Sequence, residues 1–380
     1  LRKRGYICGY VEILRPMSLI DFGTNVQLIM AVVFAFLITF VFVPITVGVA
    51  KAKGIVANEN GRTSHKGNIP TMGGIAVIAG FYISVLMFVH DVRLPEMNSF
   101  LAGSFLILLS GMKDDIVGIS ARKKFLIQII SACILIFWAN LRFTNLQGFL
   151  GIYEINYFWS VCITLITIVG LTNCFNLIDG IDGLATGVSV VSLVSMGLWF
   201  FFVGQSGLMM ISFILAACLL SFIPFNVFGK KNKIFLGDTG SLTAGFIVAF
   251  LIIKLNQVNL GLTSSLFLQS APAISIAIVF VPLFDTLRVF AIRVINKRNP
   301  FSPDKLHAHH TLLSLGLNHA QTSLFLVCLN VATIFLAFNT AFLGTTALVF
   351  ILLSQGIVVF FIPCALRRIK QNRPIFSFTR

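Results

Sequence analysis

Asn173, Asn176, Asp179 and Asp182 recur at three-residue intervals within residues 172–184, at the end of an apolar run. Amide and carboxylate oxygens in this density suit a hard cation such as Mg²⁺, which takes a few protein oxygens and fills the rest of its shell with phosphate and water. Helix capping is the plain alternative, but a cap needs one such residue, not four. Three residues rotate an α-helix by about 300°, so each step drifts by about 60°. Neighbours in the series can touch, yet all four cannot share one narrow stripe. Gly180 and Gly183 break or tighten the helix here.

Two further polar islands interrupt apolar runs: Lys113, Asp114 and Asp115, and the segment 235–241, which contains Phe235 and Asp238. The three islands hold five of the chain's 13 acidic residues. Carboxylates are costly at membrane depth and are retained there for function. Adjacent helical residues point about 100° apart, so Asp114 and Asp115 can serve two partners, one a metal or phosphate and the other a proton or a basic group. Arg122, Lys123 and Lys124 follow about two turns later and attract anions. Asp238 opens an apolar segment and reads first as an N-cap. Beside Asn176 it would complete a two-ligand Mg²⁺ site. Phe235 could stack a base, although most of the 39 Phe are expected to face lipid.

His307, His309 and His310 are half of the six His in the chain. Imidazoles one turn apart can donate to phosphate oxygens. Zinc is the competing chemistry, but no Cys lies nearby. The basic, glycine-rich segment 61–74 suits anion contact without being diagnostic. Walker-type and Rossmann glycine patterns are absent.

The elements that must position these groups follow from composition. Of 380 residues, 57% are hydrophobic and 11% charged, which no ordinary soluble domain shows. The expected class is an all-α polytopic membrane protein. Apolar runs such as 28–43 and 274–283 lack the alternation of a barrel strand. About eleven spans are expected, near 26–50, 73–90, 98–112, 124–141, 157–177, 184–203, 206–226, 239–254, 263–284, 322–339 and 342–365. An amphipathic helix should continue over 285–296. The expected domain plan is an N-terminal extension over 1–25, with Met17 a candidate natural start, a single transmembrane domain over 26–366, and a basic tail over 367–380. The seven scattered Cys imply no disulfide framework.

Of the 28 Lys and Arg, all but seven fall in loops on one side or in the C-terminal tail. The exceptions are Arg93, Arg142 and Lys254 on the other side, and Arg2, Lys3, Arg4 and Arg15 in the extension. The positive-inside rule places the crowded side in the cytoplasm, with the N-terminus outside. All three acidic islands and the His cluster then converge on the cytoplasmic face.

These pieces, in this order, resemble the polyprenyl-phosphate N-acetylhexosamine-1-phosphate transferase family. Ser302, Pro303, Asp304, Lys305, Leu306, His307, Ala308, His309 and His310 look like the bacterial undecaprenyl-phosphate N-acetylglucosamine-1-phosphate transferase branch. The muramoyl-pentapeptide branch usually shows three consecutive His, which Ala308 interrupts here. The resemblance implies transfer of N-acetylhexosamine-1-phosphate from a UDP-sugar to undecaprenyl phosphate, with release of UMP. That would be the first membrane step of a cell-surface glycan such as O-antigen, in a bacterial inner membrane. It implies Mg²⁺ or Mn²⁺ held by Asn176 and Asp238. Asp114 and Asp115 match the acidic pair near the attacking phosphate and Lys124 its basic partner, with Asp114 as general base left open. Phe235 matches the residue stacked on uracil, and Asp182 the group that accepts from the uracil edge. Asn173 and Asp179 belong to the same substrate pocket, and His307, His309 and His310 to the loop around the diphosphate and sugar. No nucleic-acid partner is expected, and a homodimer is compatible. Alternatives are a phospho-N-acetylmuramoyl-pentapeptide-transferase-like enzyme and a secondary transporter with an acidic ion path, although transporters place their sites near the midplane.

Overall fold

The computed structural model describes residues 22–56, 69–89, 94–263, 265–297 and 307–370. Residues 1–21 of the N-terminal extension, 61–68 of the glycine-rich loop, Arg93, residues 302–306 and the tail beyond 370 lie outside them. The first helices are α1 (Phe22–Ala52), α2 (Gly73–Phe88), α3 (Met97–Val117) and α4 (Ala121–Cys133), the last continued by a π-turn over Ile134–Trp138. A short hairpin follows, β1 (Asn145–Phe149) and β2 (Ile152–Glu154). The remainder is α5 (Tyr157–Leu177), α6 (Leu184–Phe202), α7 (Ser206–Val227), α8 (Gly237–Leu260), α9 (Ala271–Ile278), α10 (Phe280–Ile295), α11 (Ala308–Leu315), α12 (His319–Thr340) and α13 (Thr345–Lys370).

Among the described residues, α1, α5, α6, α7, α8 and α12 are long and apolar enough to cross a membrane. A seventh crossing follows if α9 and α10, bent by 81°, form one broken span. Three other expected spans fall short for visible reasons. Helix α2 has 16 residues and α4 has 13. Helix α3 ends in Lys113, Asp114 and Asp115.

Two expectations need correction. Residues 263–284 are not one continuous helix, because helix begins only at Ala271 and breaks at Val279. Pro282 lacks the N–H that would reach the Ile278 carbonyl in a continuous helix. That carbonyl instead accepts from Asn330 Nδ2 at 3.0 Å and Ser192 Oγ at 2.8 Å, while Val281 N–H donates to Asn330 Oδ1 at 3.1 Å. Apolar surroundings leave such groups no water, so α6 and α12 supply the partners. The chain is also not purely helical. Thr345 and Thr346 at the start of α13 pin the hairpin, with Thr345 Oγ1 donating to the Gln147 carbonyl at 2.7 Å and Leu150 N–H donating to Thr346 Oγ1 at 2.7 Å.

Helix α8 is the buried centre, packed by α2, α3, α5, α6 and α9. A Cβ on Gly111 would stand 2.6 Å from Thr239 Cα, so glycine alone lets α3 approach the start of α8 this closely. At the other end of this antiparallel pair, Lys254 donates to Glu96 at 2.9 Å. The ends of α3 and α5 and the starts of α4 and α8 thereby meet at one end of the bundle.

Candidate active site

Asp115, on the last turn of α3, accepts the backbone N–H groups of Asp238 and Thr239, each at 2.9 Å, and the Thr239 hydroxyl at 2.5 Å. The first N–H groups of a helix have no partner within it, and an anion also suits the positive end of the macrodipole. Asp115 therefore does for α8 what the sequence suggested Asp238 would do as its own N-cap. Asp238 lies in the first turn instead, with its carboxylate free of capping. Its Oδ1 accepts from Asn176 Nδ2 at 2.7 Å, and its Oδ2 pairs with the Lys124 ammonium. Asn176 Nδ2 also donates to Ser241 Oγ at 2.9 Å.

Asp114 reaches the same cluster by its side chain rather than by capping α8. Its Oδ2 lies 2.6 Å from Lys124 Nζ, and its Oδ1 accepts from Ile119 N–H at 2.7 Å. Lys124 thus joins the acid of α3 to the acid of α8. Asn173 is placed less directly. Its Nδ2 donates to Gln128 Oε1 at 2.6 Å and to the Val169 carbonyl at 2.7 Å, so its amide binds α5 to α4 beneath the cluster.

The loop between α5 and α6 carries Asp179 and Asp182. Burial of the Asp179 carboxyl, reinforced by the negative charge of Asp238, Asp115 and Asp182, holds its pKa well above the usual carboxylate range. Asp182 Oδ2 lies 2.7 Å from Lys233 Nζ. Buried Asn226 accepts from Gly183 N–H at 2.7 Å and donates to the Ile234 carbonyl at 3.0 Å. It thereby ties the Asp182 loop to the segment bearing Lys233 and Phe235. The Phe235 backbone is itself fixed, donating to the Pro70 carbonyl at 2.8 Å and accepting from Gly73 N–H at 2.9 Å.

The His segment docks through α10. His307 Nδ1 lies 2.9 Å from Asp285 Oδ2, and Ala308 N–H donates to Asp285 Oδ1 at 2.8 Å. The His307 and His309 rings lie nearly parallel, with centroids 5.7 Å apart, and His310 lies 4.3 Å from His309. A Cβ at Gly180 would come within 2.5 Å of His309 Nε2, so His309 closes directly over the acidic loop. Burial pushes the His309 imidazole down to about 3, and Asp285 only partly offsets this. His309 is therefore neutral, and its buried Nδ1 meets no partner among the described residues.

The structure thus gathers Asp114, Asp115, Lys124, Asn176, Asp179 and Asp238, and ties the segment bearing Lys233 and Phe235 and the His segment to the loop that carries Asp179 and Asp182. Sequence reasoning missed Asp285, Lys233, Asn226 and Gln128. Asp285 had a signal, being an acid in an apolar stretch. Gln128, Asn226 and Lys233 had none that was local. Among the described residues, no three His, Cys, Asp or Glu side chains could hold a metal by themselves. A site here needs the Asn176 amide oxygen.

Residues 97–256 match glycosyl transferase family 4. The chain is 31% identical over 293 residues to the undecaprenyl-phosphate alpha-N-acetylglucosaminyl 1-phosphate transferase of Salmonella typhi, covering 75% of this chain and 76% of that one. It is 34% identical over 275 residues to the enzyme of the same name from Haemophilus influenzae, covering 71% and 75%. The Escherichia coli K12 relative, again of that name, shares 31% over 293 residues, covering 75% and 76%.

Proposed function

The chain belongs to glycosyl transferase family 4, the sugar-1-phosphate transferases, and from that premise we propose that it moves N-acetylglucosamine-1-phosphate from a UDP-sugar to undecaprenyl phosphate, releasing UMP. One observation carries this most directly. Asp238 is shared by Asn176 of α5 and Lys124 of α4, while Asp115 of α3 holds its backbone. The transporter and muramoyl-pentapeptide readings are not favoured.

Asp114, Asp115, Asp179 and Asp238 lie in one another's field, and among the described residues the ammonium contacting them is that of Lys124. Such a set repels a diphosphate unless more positive charge is present. A divalent cation fits the donors. Asn176 spends its amide hydrogens on Asp238 and Ser241, which leaves Oδ1 beside the Asp238 carboxylate. Asn176 and Asp238 would hold the ion, with Mg²⁺ preferred and Mn²⁺ accepted. When bound, it neutralises charge on the diphosphate oxygens.

The residues of the chain do the remainder by positioning and charge. An oxygen of the lipid phosphate bonds to the β-phosphorus as the bond from that phosphorus to the α–β bridging oxygen breaks, and UMP departs. A phosphate monoester has a second pKa near ~6, so the attacking oxygen is already largely ionised. Asp114 then orients Lys124 toward that phosphate and need not remove a proton. Phe235 stacks on uracil. Asp182 accepts from uracil N3–H, and Lys233 beside it donates to an adjacent carbonyl oxygen. Asn173 acts at one remove, through Gln128. The His segment covers the diphosphate and sugar.

The skewed Lys and Arg distribution supports a cytoplasmic site in a bacterial inner membrane, with about eleven crossings counting the shorter helices. The decisive assay follows UMP release by the purified protein in lipid vesicles. Release should require UDP-N-acetylglucosamine, undecaprenyl phosphate and Mg²⁺ together. Release without the lipid, or none with all three, contradicts the proposal.

A further inference from the structure

Asp285 is an acid that the phosphate chemistry above does not use, yet it is among the most completely engaged side chains in the protein. It is 2% exposed. Its Oδ1 accepts from Ala308 N–H at 2.8 Å and from the Arg288 guanidinium at 3.1 Å. Its Oδ2 faces His307 Nδ1 at 2.9 Å. An ionised carboxylate can only accept hydrogen bonds, and the two donors on Oδ1 favour that ionised form. The proton between Asp285 and His307 therefore sits on Nδ1. The ring is fixed in orientation, with Nε2 left for the other side. The Ala308 bond also satisfies the first N–H of α11, which the helix itself leaves unpaired.

The constraint reaches the acidic loop. His307 lies parallel to His309, and His309 rests on Gly180 between Asp179 and Asp182. Asp285 is aimed by the break at Val279, because the bend sets the direction of α10. We propose that Asp285 is a positioning residue that fixes the His307 tautomer and anchors the His segment over the donor diphosphate. This rests on the proposed role of that segment, and its test separates the two.

The measurement is nitrogen NMR of the full-length protein in detergent, labelled with ¹⁵N-histidine, with the His307 signals identified by their loss in His307→Gln. In the wild type, His307 Nδ1 should carry a proton. In Asp285→Asn the amide can turn its NH₂ toward the ring, so Nδ1 should lose the proton and Nε2 gain it. Arg288→Met, which keeps the carboxylate, should leave the wild-type signature. In the UMP-release assay Asp285→Asn should lower kcat about 10–100-fold, the range for lost outer hydrogen bonds to a functional histidine. KM for undecaprenyl phosphate should stay within about twofold, and Asp285→Glu should recover part of kcat. A bare Nδ1 in the wild type overturns the proposal even if Asp285→Asn fails to fold. So does Asp285→Asn with an unchanged signature or an unchanged kcat. A wild type that releases no UMP would sink the proposed reaction while leaving the tautomer result standing.

Discussion

Asp115 and Asp238 come from helices that converge in the fold, and the carboxylate of the first holds the backbone of the second at 2.9 Å. This relationship splits the acidic pair of α3 by role. Asp115 builds the start of α8, and Asp114 meets Lys124. The two adjacent acids should therefore fail differently when changed.

Asp115→Asn keeps the shape but offers one acceptor oxygen where two are used, so at least one α8 N–H loses its partner. Leaving such a buried group unsatisfied costs about 1–3 kcal/mol. Thermal unfolding in detergent should fall accordingly, with UMP release falling alongside. Asp114→Asn should lose activity with little change in unfolding temperature. Equal destabilisation by both variants would contradict this division.

Lys124 neutralises part of the charge on Asp114 and Asp238. Lys124→Met should lower kcat by about 10²-fold or more, in keeping with loss of a charge-stabilising donor. It should also tighten Mg²⁺ binding, because two carboxylates lose their fixed cation. A magnesium titration of activity reads both effects. Weaker Mg²⁺ binding in this variant would mean that Lys124 shapes the metal site rather than competing with it.

Asp179 has its pKa raised by burial and by neighbouring acids. In the metal-free protein it holds a proton at pH values where an ordinary Asp has lost it. Bound protons then outnumber those of the unfolded chain, so metal-free stability should rise as pH falls from neutral toward the usual Asp range. Cation binding beside it should expel the proton, so Mg²⁺ affinity should rise with pH. Calorimetry in buffers of different ionisation enthalpy should detect the released proton, and Asp179→Asn should abolish it.

Lys233 lies beside the carboxylate proposed to read uracil. With the base stacked on Phe235, cytosine would set its N3 lone pair against Asp182 and its amino group against Lys233. Wild-type enzyme should therefore prefer UDP- to CDP-N-acetylglucosamine. Lys233→Met should narrow that preference by about tenfold, or ~1.4 kcal/mol, the order of one hydrogen bond to a charged group. An unchanged ratio with lower overall activity would leave the ion pair a purely structural one.

The chemistry was legible wherever polar groups stood out against an apolar background. Asn176, Asp238 and the α3 acids were visible because polar groups inside apolar runs have a cost, and the fold brings them together. The same logic applied to Asp285, but a single acid on an amphipathic helix looked like its solvated face. Which of Asp114 and Asp115 would cap the α8 backbone depended on the close approach at Gly111, a tertiary fact. The break at Val279 had Pro282 as a local hint, while the groups that make it tolerable, Ser192 and Asn330, lie on other helices. The hairpin strands, Asn145–Phe149 and Ile152–Glu154, are too short for a periodicity to develop.

The central claim is that Asn176 and Asp238, from different helices, grip one ion. Mn²⁺ binding to the purified protein, followed by electron paramagnetic resonance, tests it without relying on turnover. The expected result is one Mn²⁺ per chain, with Asn176→Ala and Asp238→Ala each weakening binding at least tenfold and the double variant little worse than either alone. Wild-type Mn²⁺ affinity in either single variant would contradict the account.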